Sequence, residues 1–241
     1  MKDLFLGVAY LLEGLRLIRQ PGLRRYVLIP LLINVLLFGG VLYFAFGWVG
    51  SLIEMLLGYL PAYLDWLSYL LWPLFALVSL VVVFFSFTML ANFIGAPFND
   101  LLAAAVERHL TGRAQEEGDW KTLLRELLPN LLSELRKLLY FVLRAIPLGI
   151  MFLIPGLNLA APFLWALFAA WMMALEYTGY PMANRGLLFP EQRRWLREHR
   201  GLSLGFGGAT LLGTLIPVVN FLVMPAAVAG ATAMWVKKTQ T

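Results

Sequence analysis

Read from its amino terminus, the chain opens with Leu4, Phe5, Val8, Leu11, Leu12 and Leu15 at helical spacing, while Asp3, Glu13, Arg16 and Arg19 fall largely elsewhere. That is the pattern of an amphipathic helix lying in a membrane interface, expected over residues 1–20. Its scattered charges and the lack of a small-residue cleavage pattern set it apart from a removable signal. From Tyr26 to Val49, 24 residues carry no charge, and a helix needs about 20 to cross a bilayer. The pattern predicts a first transmembrane helix over 26–49. A second uncharged stretch runs for 34 residues, Trp66 to Asn99, about 50 Å as one helix. It predicts a second transmembrane helix over 66–96 that tilts or projects beyond the membrane. Pro97, inside Ile94-Gly95-Ala96-Pro97-Phe98-Asn99, is the expected stop, because proline cannot continue the backbone ladder.

Beyond residue 100 the pattern changes. Charges of both signs mix with leucines at 123, 124, 127, 128, 131, 132, 135, 138 and 139, which predicts amphipathic cytoplasmic helices over 100–137, bent at Pro129. Two apolar stretches follow, each broken at its middle: Ile154-Pro155-Gly156-Leu157-Asn158 with Pro162 behind it, and Ile216-Pro217-Val218-Val219-Asn220 with Pro225 behind it. Proline stops a helix and asparagine favours a turn. The arms at the second break, Leu202 to Ile216 and Phe221 to Val236, hold 15 and 16 residues, short for a full crossing. The pattern therefore predicts two re-entrant helical hairpins, 138–177 and 202–236, that enter the membrane and return to the same side. Bent backbone at membrane depth must be covered by protein or face water, so the hairpins imply a homo-oligomer or a pore. Gly201, Gly205, Ala209 and Gly213 form a small-residue stripe that allows close helix packing within the second hairpin.

Composition supports this picture. Of 241 residues 61% are hydrophobic and 14% charged, and the mean hydropathy is +0.77, outside the range of soluble domains. The fold class expected is an all-α integral membrane protein. Residues 50–65 carry Glu54 and Asp65 but none of the 19 lysines and arginines, so the positive-inside rule places that loop in the periplasm and both termini in the cytoplasm. There is no cysteine, hence no disulfide framework, thiol nucleophile or cysteine metal site. His109 and His199 stand far apart in charged stretches, which leaves no metal or cofactor site to expect. No G-x-x-x-x-G-K-[ST] motif and no Ser/His/Asp constellation is present, so the chain does not read as an enzyme and does not drive transport by hydrolysis. It reads as a passive pore or an ion-coupled carrier. Arg193, Arg194, Arg197 and Arg200, with Trp195 between them, adjoin a membrane-dipping segment and suit anionic lipid headgroups rather than nucleic acid.

The sharpest local signal is Arg19 to Pro30, where Pro21-Gly22 precedes Arg24 and Arg25 at the head of an apolar run. A helix start leaves amides unpaired and presents the positive end of the dipole. Two arginines there are unfavourable unless an anion joins them, and guanidinium groups suit tetrahedral oxyanions. Two readings stay open on local chemistry: a specific small-anion site at Gly22, Leu23, Arg24 and Arg25, or anchoring to lipid phosphates. Asn34, Asn92, Asn99, Glu107 and Arg144 are polar groups on or beside apolar elements. They either line a water-filled path or act structurally, the asparagines joining helices and Arg144 snorkelling to the interface.

Three blocks carry a wider resemblance. Pro21-Gly22-Leu23-Arg24-Arg25-Tyr26-Val27-Leu28-Ile29-Pro30-Leu31-Leu32-Ile33-Asn34 resembles the amino-terminal signature of the CysZ family of bacterial sulfate transporters. The stretches Ala91 to Leu102 and Ile216 to Trp235 resemble that family too, in the expected order and across nearly the whole chain. The resemblance implies an inner-membrane sulfate uptake protein that supplies cysteine biosynthesis, with sulfate bound at Gly22, Leu23, Arg24 and Arg25. It also implies two transmembrane helices with hemi-penetrating hairpins, in oligomers that include antiparallel dimers. The alternative from another class is a structural or lipid-interacting membrane protein whose arginines only anchor to headgroups.

Overall fold

The computed structural model describes residues 2–58, 68–112 and 120–239. Among them every regular element is helical: α1 Lys2–Leu17, α2 Arg25–Gly58, α3 Ser68–Thr111, α4 Trp120–Met151, α5 Ala161–Ala183, α6 Phe189–Glu198, α7 Arg200–Thr214 and α8 Pro217–Thr239, with a short 3-10 turn at Leu157–Leu159. Parts of the loop expected at 50–65 and of the helical segment expected at 100–137, and the first two residues of the span expected at 66–96, lie outside the described residues. The chain forms two units, Leu28–Phe98 and a second made of Met1–Val27 with Asn99–Thr241.

In the unit Leu28–Phe98, α2 is 34 residues long and carries Pro30, while α3 is 44 residues long and carries Pro73 and Pro97. Leu32, Val35, Leu36, Phe44, Trp48, Tyr69, Leu80 and Phe85 are all exposed, an apolar surface far larger than a water-soluble chain leaves open. α3 does not stop at Pro97. It continues to Thr111 because the residues just beyond, Leu102, Ala103 and Val106, are fully buried in the core of the other unit. Burying a large aliphatic side chain contributes about 1.5–3 kcal/mol, which offsets the roughly 3 kcal/mol cost of a helix-interior proline.

The second unit is a helical bundle in which α1 packs on α7 and α8, and α5 packs on α7 and α8. Its core runs through Leu175, Leu196, Phe206 and Met234 and along the small residues of α8, Ala226 to Ala229, Ala231 and Ala233. The buried threonines keep their hydroxyls paired: Thr178, Thr210 and Thr232 donate to the carbonyls of Ala174, Phe206 and Val228 one turn back, so no polar atom is stranded at these positions. α1 buries Gly7, Tyr10, Leu11, Gly14 and Leu17, while Leu4, Phe5, Val8 and Leu12 stay exposed. Most of the apolar stripe seen in the sequence therefore points outward, and the helix docks through its glycines. The small stripe of α7 also has a different partner from the one expected. Gly205 lies against the Leu4 backbone and Gly201 beside Asp3, both on α1, and Gly213 meets Val223 within the α7–α8 pair.

A turn lies at each predicted break, but the second is displaced: residues 217–220, expected at its tip, form the first turn of α8, because proline is well tolerated at the start of a helix. The first lies between α4 and α5, where Gly156 adopts φ 87°, a backbone conformation open to glycine, and Pro162 starts α5. The second, Leu215 and Ile216, joins α7 to α8. Both turns expose apolar side chains: Leu153 and Leu159 at the first, Leu212, Leu215 and Phe221 at the second. The arms of the second pair are unequal. α7 has 15 residues and α8 has 23, about 22 and 34 Å. Among the described residues, Val219–Thr239 is the one helical stretch long and apolar enough to cross a membrane, with mean hydropathy 1.6.

Candidate functional site

The Arg24–Arg25 element is the link between α1 and α2. α1 unwinds through short-range bonds, Arg19 N–H to the Arg16 carbonyl at 3.3 Å and Gln20 N–H to Leu17 at 3.0 Å. Gly22 then takes φ 90°, a left-handed conformation that a side chain disfavours. Leu23 is 4% exposed and pins the turn into the core beside Leu17 and Ile18. The amides of Leu23 and Arg24 both donate to the Gln20 carbonyl at 3.2 Å, so they are not the free donors expected from the sequence. Those of Gly22 and Arg25 find no backbone acceptor among the described residues.

Arg24 and Arg25 are both exposed. Arg25 folds over the adjacent Tyr26, its guanidinium carbon 4.9 Å from the ring centroid and Nη2 donating to the tyrosine hydroxyl at 3.0 Å. Among the described residues neither arginine, nor the neighbouring Arg16 and Arg19, has a carboxylate within ion-pair distance. Residues 16–25, the link and the helix ends on either side of it, thus carry four cations that have no carboxylate partner among the described residues, a surface that attracts anions.

The other predicted polar residues separate. Asn34 is half-buried on α2, and its Oδ1 has no hydrogen-bond partner among the described residues. Asn92 falls on α3, where its side chain lies outside the described set. Asn99 is 9% exposed and donates to the Tyr180 hydroxyl at 3.4 Å, joining α3 to α5. Glu107, two turns further along α3, is 2% exposed and accepts from Arg185 Nε at 2.9 Å and from Arg185 Nη2. Arg144 is exposed on α4 with its guanidinium 5.3 Å from the Tyr140 ring centroid. Trp195, interleaved with the arginines of α6, points inward: it stacks on His199 and meets Trp235 edge-on.

The structure adds a group not singled out from the sequence. The amine of Lys137, a side chain only 10% exposed, sits 2.9 Å from Glu134 and 3.1 Å from Glu176. Burial lowers its pKa, but Glu176 and Glu134 together outweigh that and raise it, so Lys137 stays charged. The Glu134–Lys137 spacing of three residues was visible as a helical pair; Glu176, 39 residues on, was not. Nearby, burial pushes the Asp100 carboxyl up to about 6, with Glu134 adding to the shift.

The family model described as Sulfate transporter CysZ/Etoposide-induced protein 2.4 matches residues 10–225. The chain belongs to this family. Among its relatives, the sulfate transporter CysZ of Pseudomonas paraeruginosa is 48% identical over 233 residues, covering 96% of this chain and 95% of the relative. That of Pseudomonas fluorescens is 48% identical over 233 residues, with 96% and 93% covered. The sulfate transporter CysZ of Vibrio cholerae is 45% identical over 238 residues, with 98% and 94% covered. The CysZ match begins at residue 10 and so takes in the whole arginine-bearing link. Membership in a transporter family places the chain in a membrane, which accounts for the apolar surfaces left open on α2, α4 and both turns.

Proposed function

We propose that this chain takes up sulfate across the bacterial inner membrane for cysteine biosynthesis, and that Gly22, Leu23, Arg24 and Arg25 form the site that first holds the anion. The observation that carries the site is the pair of exposed arginines that have no carboxylate partner among the described residues, set on a turn that Gly22 bends and Leu23 anchors. A dianion there neutralises both guanidiniums through charge-assisted bonds and can accept from the amides of Gly22 and Arg25 at the positive end of α2.

In this reading residues 26–49 of α2 and the part of α3 up to residue 96 cross the bilayer as a multi-pass pair, and the two turned helix pairs enter it from one side. Support comes from length: α7, about 22 Å long, cannot span a hydrocarbon core of about 30 Å, and the turn joining it to α8 is apolar and exposed. Exposed bent backbone at that depth is sealed by self-association, so the working form is a homo-oligomer in contact with membrane lipids. Asn99 and Glu107 are buried and joined to Tyr180 and Arg185, which supports the structural one of the two roles open to them from the sequence.

Equilibrium sulfate binding to purified variants tests the site. Arg24→Lys with Arg25→Lys keeps the cytoplasmic charge but loses the forked geometry, so insertion survives while binding weakens. Arg24→Ala with Arg25→Ala removes charge-assisted bonds worth about 1.5–3 kcal/mol each and costs at least about tenfold in affinity. Unchanged affinity in the double alanine variant overturns the site. Wild-type behaviour of the lysine pair in both insertion and binding favours anchoring instead.

A further inference from the structure

Tyr140 on α4 is shared by two arginines from different helices. The guanidinium carbon of Arg144, one turn along α4, lies 5.3 Å from its ring centroid, and that of Arg193 on α6 lies 4.8 Å from it. The ring is held by Phe189, centroids 5.6 Å apart, at the start of α6. That start is tied to α4 by the Phe189 amide, which donates to Ser133 Oγ at 2.8 Å. Two helices therefore present two cations over one fixed ring. Among the described residues neither arginine has a carboxylate partner, and the nearby Glu134 and Glu176 are taken up by Lys137. Like charges brought together repel, so the arrangement asks for an anion.

The surroundings say which kind. Leu139, Leu143 and Ile146, beside Tyr140 and Arg144 on α4, are each more than half exposed. A small hydrated anion gains nothing from that surface, whereas an amphiphile covers it with its chains while its phosphate meets the arginines. We infer that Arg144, Arg193 and Tyr140 form a binding site for the phosphodiester headgroup of an anionic phospholipid, with its acyl chains along Leu139, Leu143 and Ile146. The second cation selects against a zwitterionic lipid, whose ammonium group it repels. The inference rests on the reading that the α4–α5 arms lie in the bilayer.

Native mass spectrometry of the purified protein in a neutral detergent, titrated separately with phosphatidylglycerol and phosphatidylcholine, tests it. The expected result is about tenfold tighter binding of phosphatidylglycerol, since each basic residue near a membrane surface contributes on the order of 1 kcal/mol. Arg144→Gln with Arg193→Gln abolishes the preference, with an unchanged helical circular dichroism spectrum showing that the variant is folded. Arg193→Gln alone, a change on α6 outside the apolar arm, loses part of it. Equal binding of the two lipids by the wild type, or an unchanged preference in the double variant, overturns the site. If the preference survives the double substitution while sulfate uptake falls, the lipid site fails and the uptake reading stands.

Discussion

Gly14 of α1 lies against Gly230 of α8 so closely that a Cβ on Gly14 would stand 2.6 Å from the Gly230 nitrogen and overlap the Ala226 carbonyl. The contact is backbone on backbone, and no rotamer change relieves it. Gly14→Ala should therefore separate α1 from α8 and cost about 1–3 kcal/mol or more, as overpacking does. Gly149→Ala on α4 is the control, since its Cβ meets nothing within 4 Å and alanine favours the helix by up to about 1 kcal/mol. Thermal melts in detergent should place the first variant well below the wild type and the second at or above it. Equal melts would show that α1 is not packed this way.

Asp100 gives a pH dependence of defined sign. Its carboxyl is pushed up to about 6 in the folded chain, first by burial and then by Glu134, against an unfolded value of about 4. Between these values the folded state binds more protons, so stability falls as pH rises through about 4 to 6 and is level above. Asp100 as a residue is exposed, so solvent screens the effect and keeps it small. Asp100→Asn should raise the melting temperature at pH 7.5 and leave it near the wild type at pH 4.5. A difference that does not change with pH would remove Asp100 as its source.

The hairpin reading makes a topological prediction. Because the chain contains no cysteine, single cysteines at residues 138, 177, 202 and 236 can be labelled from either side of oriented membranes. The two ends of each pair, 138 with 177 and 202 with 236, should label from the same side. Labelling of either pair from opposite sides would mean that the segment crosses the membrane once and is not a re-entrant hairpin; cysteines at 156 and 216 on the turns, reached from the far side, would mark two full crossings, which the 15 residues of α7 are too few to make.

Much of this was legible in the sequence because it follows from local chemistry. Runs without charge place much of α2 and α3, the break at Pro155 to Asn158 marks the first turn, the proline at 217 falls just after the second, and Pro21-Gly22 ahead of two arginines marks the link that the family match also covers. Apolar runs, turn formers and charge are properties of neighbouring residues, so one strand of text is enough to read them.

What only the tertiary structure decided depends on residues distant in the chain. Pro97 reads as a stop, yet α3 runs through it, because Leu102 and Val106 find a core built from α5 to α8. The sequence marks α1 as amphipathic, but not that Gly7 and Gly14 lie against the backbones of α7 and α8 with Leu11 and Leu17 buried beside them, because close approach of that kind depends on small residues of distant helices. Glu176 and Arg185 become the partners of Lys137 and Glu107 across 39 and 78 residues. Spacing fixes which face of a helix a side chain occupies, but which surface meets that face, and so which charges are paired and which are left for an anion, is set only when the helices pack.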